Sequence, residues 1–463
     1  MLFDSRLFLY GFLPLTVAVF YFFSARRWMV LCYLWLIAAS FYFYGHWNRQ
    51  HLLLLFLSIG VNYGAARMLE ITRRPRSWLT AGILFNLLLL GYFKYRDFLL
   101  ANLHSLTGVE FILKPLALPL GISFYTFTQI AYLVDIHQKK TRGHSLLDYT
   151  LFVVFFPHLV AGPIVHYSHV MPQFASLRKR FADPSNLFRG AFYFILGLSQ
   201  KVLLADPLHA AADSGFSAPA ALAAAGAWKA ILAYTFQIYF DFAGYSNMAI
   251  GLALLFNIRF PVNFNSPYQA DSIIEFWRRW HITLSEFLKN YVYIPLGGNR
   301  KGELRRYGNL FLTMLIGGIW HGASWTFVIW GGYHGILLGA NHLTRRSGFS
   351  LPRGVAKGLT FIAVAYGWIY FKASGFSQAL QMQTAAAGAN GWGLESLNAD
   401  AGLWIRLLLT GGIAFLMPNV QQWESRITER LVFWTVFLSI LFSICFISIS
   451  RSGVPNVFLY WQF

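Results

Sequence analysis

The chain has 463 residues, of which 57% are hydrophobic, 18% aromatic and only 12% charged. Soluble domains carry about a quarter charged residues, so the composition excludes that class and favours a polytopic all-α membrane protein. The formal net charge is +19, but no nucleic-acid recognition motif accompanies it, and we expect no nucleic-acid partner. The basic residues instead form short clusters between apolar runs, as expected of cytoplasmic loops on anionic membrane lipid. These clusters are Arg26-Arg27, Arg73-Arg74-Arg76, Lys139-Lys140, Arg178-Lys179-Arg180 and Arg345-Arg346.

Long apolar runs predict the membrane-spanning segments. In chain order they are Leu7–Phe23, Trp28–Tyr44, Leu52–Ala66, Trp78–Phe93, Leu116–Val134, Tyr149–Val165, Leu187–Leu204, Trp228–Phe256, Leu310–Leu338, Val355–Phe371, Leu403–Leu416 and Leu431–Ile449. The two longest runs could each be one helix or a bent pair, so we expect roughly 11 to 13 transmembrane or re-entrant helices. Pro119 and Gly121 interrupt the fifth run, which predicts a broken or re-entrant helix.

The runs form one continuous series, which predicts a single membrane domain over residues 1–463. Within it we expect N-terminal spans at 1–114, a catalytic core at 115–345 and C-terminal spans at 346–463. The first and third loops are the basic ones, so the positive-inside rule predicts a periplasmic N-terminus in the cell inner membrane. The first run lacks a small-residue cleavage site, and we expect it to remain as a span.

The segment Ser272–Tyr293 is too polar to face lipid and too aromatic for a free loop. Its aromatic residues fall at helical spacing, and Glu275 and Arg279 stand four apart, which predicts an amphipathic helix at the membrane surface or beside a polar cavity. His281 lies here beside Arg278 and Arg279. The arginines could hold phosphate or carboxylate groups of a substrate, or they could simply meet lipid phosphates.

His321 lies in an apolar run that contains no Lys, Arg, Asp or Glu, Leu310–Leu338. An ionisable ring inside an apolar run is costly to bury, so its presence there calls for a functional or structural explanation. The small residues around it would let a substrate or another backbone approach closely. As a general base the imidazole could take a proton from an attacking hydroxyl, and as a nucleophile it could carry an acyl group. The alternative is a histidine that only packs between helices.

Two further histidines are weaker candidates for a functional role. His158 lies in a run broken by two prolines, where it could line a channel or bond a carbonyl that proline leaves unpaired. His334 repeats the small-residue setting of His321 but has no other support as a catalytic centre.

Asp241 and Tyr245 lie near the middle of a long apolar run. A buried aspartate must find a partner, and Arg278, Arg279 or a histidine are the candidates. Asp241 could orient a catalytic histidine or fasten two helices together.

The signatures of several enzyme classes are missing. The sequence has no Gly-x-Ser-x-Gly elbow, Walker loop, dinucleotide fingerprint or paired-cysteine metal site. Cys32 and Cys445 lie far apart in apolar runs and are expected to be small buried hydrophobes. We therefore expect no metal and no bound cofactor, and the hydrolase, nucleotide-driven pump and metalloenzyme classes lose support.

With these residues laid out, the chain resembles the membrane-bound O-acyltransferase (MBOAT) family, in the bacterial branch that modifies exported polymers such as alginate and teichoic acid. The segments occur in the family's order from residue 119 to the last residue. They are PLGISFY at 119–125, FPHLVAGP at 156–163, YFDFAGYS at 239–246, FWRRWH at 276–281, LGGNRKG at 296–302, GGIWHG at 317–322 and FLYWQF at 458–463.

The resemblance implies a ring of tilted helices around a funnel or tunnel, with His321 as the catalytic histidine and His281 as a second one near the tunnel. It implies transfer of acetyl from a cytoplasmic thioester such as acetyl-CoA toward an exported polysaccharide, with alginate the first candidate. It also implies periplasmic serine-hydrolase-like partners and polymer export machinery. Trp320 and Asn247 are candidate donors for the developing oxyanion.

Other functions remain open from the sequence. The polymer could be cellulose, peptidoglycan or another exopolysaccharide of the cell envelope. The chain could instead be a transporter or flippase that uses its buried histidines, a lipid-directed acyltransferase, or a scaffold for an export complex.

Overall fold

The computed structural model describes residues 1–111, 116–142, 145–176, 183–300, 302–393, 400–427, 430–452 and 458–459. Helices and their connections make up this part of the chain, with no strand among the described residues. The all-α prediction is therefore confirmed. The basic cluster at 178–180, Lys301 of the glycine-rich loop and 460–463 of the aromatic ending lie outside the described residues.

Among the described residues, ten α-helices precede residue 200. They are α1 (Leu13–Ala25), α2 (Met29–Gly45), α3 (Gln50–Ile71), α4 (Pro75–Leu90), α5 (Arg96–Thr107), α6 (Ile122–His137), α7 (Leu146–Val154), α8 (Phe156–Leu159), α9 (Tyr167–Ser176) and α10 (Pro184–Ser199). The following helices are α11 (His209–Ser217), α12 (Ala224–Leu255), α13 (Ile273–Arg279), α14 (Ile282–Leu288), α15 (Glu303–His321), α16 (Trp325–Arg346), α17 (Arg353–Lys372), α18 (Phe376–Ala386), α19 (Ala401–Leu416), α20 (Val420–Glu424) and α21 (Leu431–Ser452).

Seven helical stretches among the described residues are long and apolar enough to cross a membrane. They are Phe8–Ala25, Gln50–Ile71, Pro75–Thr107, Pro184–Ser217, Ala224–Leu255, Arg353–Lys372 and Leu431–Arg451. Two shorter apolar helices, α2 and α19, add to them. A chain with this many apolar helices is a multi-pass membrane protein. The larger predicted number of spans stays a prediction.

The described residues fall into two compact units. The first draws on Met1–Leu198, Tyr245–Val262 and Ile449–Val457, and the second on Ser199–Gly244, Asn263–Ser448 and the tail from Phe458. The single-domain prediction stays a prediction.

In the first unit, buried polar side chains form hydrogen bonds with one another. Asn62 of α3 and Asn86 of α4 are buried and exchange two amide hydrogen bonds of 3.3 and 2.6 Å. Such a reciprocal pair removes the cost of placing two amides where no water can reach them. It fixes the register of two neighbouring helices.

The run interrupted by Pro119 and Gly121 is helical only after these two residues, among the residues described. Gly121 has φ +69, and α6 begins only at the next residue. A Cβ at Gly121 would stand 2.8 Å from the carbonyl oxygen of Leu159. Both the left-handed backbone and the close approach require glycine here.

In the second unit, the apolar run around His321 forms two helices. α15 ends at His321, and α16 begins at Trp325 after Ser324, whose side chain accepts a hydrogen bond from the Thr326 N–H. A Cβ at Gly318 would lie 2.4 Å from the Phe327 carbonyl oxygen and 2.9 Å from Cα of Gly331. The two backbones therefore touch, as the small residues predict, and His321 stands at a helix end.

The prediction of one amphipathic helix over Ser272–Tyr293 is wrong. The segment divides into α13 and α14, with Trp280 and His281 between them, and a π-helical turn Lys289–Tyr293 follows. Backbone bonds to a neighbouring loop replace helical ones at this break: the Asn265 N–H donates to the Arg279 carbonyl at 3.0 Å, and the Ile282 N–H donates to the Asn263 carbonyl at 3.0 Å. These are tertiary contacts, which helical spacing alone does not reveal.

Candidate active site

His321 is the last residue of α15 and is 3% exposed. Aromatic rings enclose it: the centroids of Trp320, Trp330 and Phe371 lie 4.9, 5.2 and 5.1 Å from the imidazole centroid. The carbonyl groups at a helix C-terminus bear partial negative charge, which stabilises an imidazolium formed there. The surroundings thus keep bulk water away from this ring.

His281 is completely buried and has the left-handed backbone angles φ 42 and ψ 55. Non-glycine residues held in this region carry strain of about 1–3 kcal/mol, which persists only where the surroundings enforce it. The bonds of its neighbours to the Asn263 loop enforce it here. The backbone conformation directs the His281 side chain against Phe242, with ring centroids 4.7 Å apart.

Asn263 determines which nitrogen of His281 carries the proton. Its Oδ1 lies 3.1 Å from Nδ1 of His281 and accepts hydrogen bonds from the backbone N–H and the hydroxyl of Thr283, at 3.3 and 3.1 Å. Because a backbone N–H can only donate, the Asn263 atom is an acceptor, and Nδ1 must donate to it. Nε2 therefore carries the lone pair of the neutral ring. His281 lies outside the spanning helices, and burial lowers its pKa to about 3, which keeps the ring neutral.

The indole ring of Trp320 lies near both histidines. Its indole centroid is 4.9 Å from that of His321 and 6.4 Å from that of His281. The structure thus brings together three residues that the sequence singled out, although 40 positions separate the histidines in the chain. Their chemical roles stay predictions. Asn263, which holds His281, is the residue that sequence reasoning missed, since a lone amide in a loop gives no signal of its partner.

The predicted partners of Asp241 are wrong. Its Oδ1 forms an ion pair with Nζ of Lys201 at 2.9 Å, and the same ammonium donates to Asp206 at 2.6 Å. The second carboxylate oxygen of Asp241 accepts the backbone N–H of Leu459 at 2.8 Å. Lys201 lies on the π-helical turn Gln200–Ala205, which carries its side chain to α12. The aspartate therefore fastens α12 to that turn and to the C-terminal tail.

Arg278 and Arg279 both approach Glu275. Nε of Arg279 donates to the carboxylate at 2.7 Å, the i,i+4 pair that the sequence predicts, and Arg278 stands 3.8 Å away with its side chain 68% exposed. Exposed pairs of this kind contribute little to stability. A role for either arginine in substrate binding stays a prediction.

Three predicted site residues, His158, Tyr245 and Asn247, belong to the first unit. His158 is buried, and its Nε2–H donates to the Phe152 carbonyl at 2.9 Å, the structural alternative that the nearby prolines predict. Tyr245 is buried and stacks on Phe3, with centroids 4.8 Å apart. Asn247 is buried on the same helix, α12.

Comparison with known proteins identifies the class of protein. A sequence model described as "MBOAT, membrane-bound O-acyltransferase family" matches residues 79–376, more than half of the chain. The chain belongs to this family. The residue range covers every segment that carries the resemblance except the terminal one, and it contains His281 and His321. The chain is therefore an O-acyltransferase of the membrane.

The individual relatives narrow the class further. The chain is 44% identical over 434 residues to a peptidoglycan O-acetyltransferase of Helicobacter pylori, an alignment that covers 87% of this chain and 82% of the relative. It is 41% identical over 444 residues to a probable alginate O-acetylase, AlgI, of Pseudomonas aeruginosa, covering 92% and 83%. A teichoic acid D-alanyltransferase of Streptococcus thermophilus is 29% identical over 240 residues, covering 48% of this chain and 56% of the relative.

Proposed function

We propose that this protein passes acetyl groups from a thioester donor, acetyl-CoA or a similar compound, across the membrane for O-acetylation of an exported polysaccharide. The observation that carries the proposal is the enclosure of His321 at the end of α15, with Trp320 placing it beside His281. Acyl transfer needs a base, a dry pocket and donors for the oxyanion. The family membership and the names of the relatives support the same reaction class.

As a general base, His321 takes the proton of an acceptor hydroxyl while that oxygen forms a bond to the carbonyl carbon. The carbon–sulfur bond then breaks, and the thiolate leaves with the proton from the imidazolium. As a nucleophile, His321 would instead form an acyl-imidazole and release the thiol first. His281, neutral and with its lone pair on Nε2, is a hydrogen-bond acceptor near the same indole.

The polymer has two leading candidates. Alginate is the first, because of the sequence resemblance and the alginate O-acetylases among the relatives. Peptidoglycan is the second, because the relative at 44% identity is a peptidoglycan O-acetyltransferase. In both cases we place the protein in the cell inner membrane with its N-terminus in the periplasm. It would work with serine-hydrolase-like partners that complete the transfer and with the polymer's export machinery.

The proposal is tested by complementation of two bacterial hosts, one lacking its alginate O-acetylase and the other its peptidoglycan O-acetyltransferase. The readout is acetate released from each purified polymer by mild base. We expect the intact chain to restore acetate to one polymer, and we expect His321→Ala to abolish the restoration at equal protein abundance. His169→Ala, at an exposed histidine, is the matched control and should restore fully.

Acetylation that survives His321→Ala at the level of the intact chain would overturn the role of His321. Rapid chemical quench with labelled donor, followed by peptide mass spectrometry, separates the two chemistries. A labelled peptide containing His321 indicates a covalent carrier, and its absence during turnover indicates a general base.

A further inference from the structure

A cluster of buried ring nitrogens adjoins His321 in the second unit. Its members are Trp277, Trp330, Trp368 and His334, and we call it the indole–imidazole cluster. His334 is completely buried, and Trp330 and Trp368 nearly so. Their neighbours are apolar or aromatic, with Phe276 and Tyr333 also against His334. Such apolar surroundings provide few hydrogen-bond partners for a polar group.

The rings of the cluster are in mutual contact. His334 lies 4.9 Å from Trp330 and 5.1 Å from Trp277, measured between centroids. Trp330 also lies 5.7 Å from Trp277 and stacks on Trp368 at 5.8 Å. Trp330 therefore occupies the centre of the cluster, and outside the cluster it lies 5.2 Å from both His321 and Phe371.

The cluster's polar atoms are buried and unsatisfied. Within the described part of the chain, no hydrogen-bond partner is present for the indole nitrogens of Trp277, Trp330 and Trp368 or for either ring nitrogen of His334. Leaving one such group unpaired costs about 1–3 kcal/mol, so several together in one place need an explanation. A binding site, whose ligand supplies the partners, provides it.

The hydrogen-bonding groups of the cluster indicate which kind of ligand atom it can bind. Each indole is a donor only, and the neutral imidazole adds one donor and one acceptor. The cluster thus has four donors and one acceptor without partners, a surplus of donors that fits a ligand atom that accepts hydrogen bonds. The cluster itself contains no fixed charge, and a dry site without a counter-charge disfavours a phosphate or carboxylate. A neutral carbonyl oxygen is the group that fits.

We propose that the indole–imidazole cluster binds the carbonyl oxygen of the acyl group, with the N–H groups of Trp330 and His334 as its hydrogen-bond donors. This inference rests on the proposed function. When the nucleophile bonds to the carbonyl carbon, an electron pair moves onto the oxygen, and these donors stabilise the oxyanion. The pair returns as the carbon–sulfur bond breaks and the thiolate leaves. Trp330 connects this site to His321, where the proton is held.

Two donor analogues test the site on the purified full-length protein in lipid nanodiscs. In one, a methylene group replaces the thioester sulfur of acetyl-CoA, so that the carbonyl remains as a ketone. The other is the ethyl thioether of coenzyme A, which lacks the acyl carbonyl oxygen next to the sulfur. We expect the ketone to bind at least about tenfold more tightly, the effect of one or two hydrogen bonds. Equal affinities in the unmodified protein would overturn the proposal.

An isosteric replacement then tests Trp330. Benzothienylalanine has sulfur in place of the indole N–H and keeps the ring's shape. At position 330 it should remove most of the preference for the ketone and lower kcat by on the order of 100-fold. The same replacement at Trp392, which is 70% exposed, is the control and should change neither. An unchanged ketone preference and kcat with the replacement at 330 would overturn the assignment of Trp330.

The outcomes distinguish this inference from the proposed function. His321→Ala should abolish turnover but keep the ketone preference, because binding the carbonyl does not require the base. Persistent acetylation by that variant would overturn the role of His321 without contradicting the carbonyl-binding site. If neither analogue binds the intact protein, the thioester donor is wrong, and the carbonyl assignment falls with it.

Discussion

Nδ1 of His281 donates to Oδ1 of Asn263 at 3.1 Å, and this contact fixes the state of a fully buried imidazole. The same oxygen accepts from the backbone and the side chain of Thr283, which places the loop at Asn263 against the start of α14. One amide therefore sets the tautomer of the histidine and supports its strained backbone. Its removal should affect both stability and catalysis.

Asn263→Leu should lower both the melting temperature and activity. The change leaves buried donors of His281 and Thr283 without their acceptor, at about 1–3 kcal/mol for each unsatisfied group. We expect acetylation per folded molecule to fall at least about tenfold, because the ring loses the bond that orients it. Asn263→Asp, which keeps an acceptor oxygen, should retain more activity. Thermal unfolding in detergent and an acetyl-transfer assay measure the two effects.

The control is Asn309→Leu, which removes another buried amide, one that donates to the Gly298 carbonyl. It should lower stability without a specific loss of activity. Equal activity losses in Asn263→Leu and Asn309→Leu would show that Asn263 has no particular effect on His281.

Lys201→Met should destabilise the protein strongly. It leaves the buried carboxylate of Asp241 without its cation, and breaking a buried ion pair costs about 3–5 kcal/mol. The double variant Lys201→Met, Asp241→Asn removes both charges and keeps an oxygen for the Leu459 N–H, so it should recover part of the loss. Thermal unfolding of the two single variants and the double variant gives the coupling between the residues. Strictly additive effects would contradict a direct ion pair.

Gly318→Ala should prevent normal packing of α15 on α16. The new methyl group would stand 2.4 Å from the Phe327 carbonyl oxygen, a backbone atom that cannot move without moving the helix. We expect low protein abundance or a clear loss of melting temperature. Gly308→Ala on the same helix has nothing within 4 Å of the new Cβ. It should be neutral or stabilise by up to about 1 kcal/mol, because alanine favours the helix. Equal abundance and melting temperature for both would contradict the close approach.

His158→Leu should act on stability alone. The Nε2–H of His158 satisfies the Phe152 carbonyl inside the first unit, and leucine leaves that carbonyl without its donor, at about 1–3 kcal/mol. We expect a lower melting temperature and unchanged activity per folded molecule. A selective loss of activity at unchanged melting temperature would instead support a channel-lining role.

The sequence by itself determined the class of protein. Low charge, repeated apolar runs and the ordered motifs predict an all-α membrane O-acyltransferase, and apolar length and motif order depend on local sequence alone. The same local signals predict the interruption of the apolar run at Gly121, the close backbone approach at Gly318 and the Glu275–Arg279 pair. These local signals gave a wrong prediction at His281. The helical spacing of the aromatic residues continues past this position, although the helix ends there.

Only the tertiary structure decided how the polar groups pair. Asp241 meets Lys201 rather than the arginines of α13, His281 meets Asn263, and Trp320 lies near two histidines 40 residues apart in the chain. A buried charge or imidazole must find a partner, but its hydrogen-bonding capacity does not say which of many distant residues supplies one. That choice depends on how the helices pack, and packing here is set by the shapes of apolar side chains and glycines distributed along the second unit.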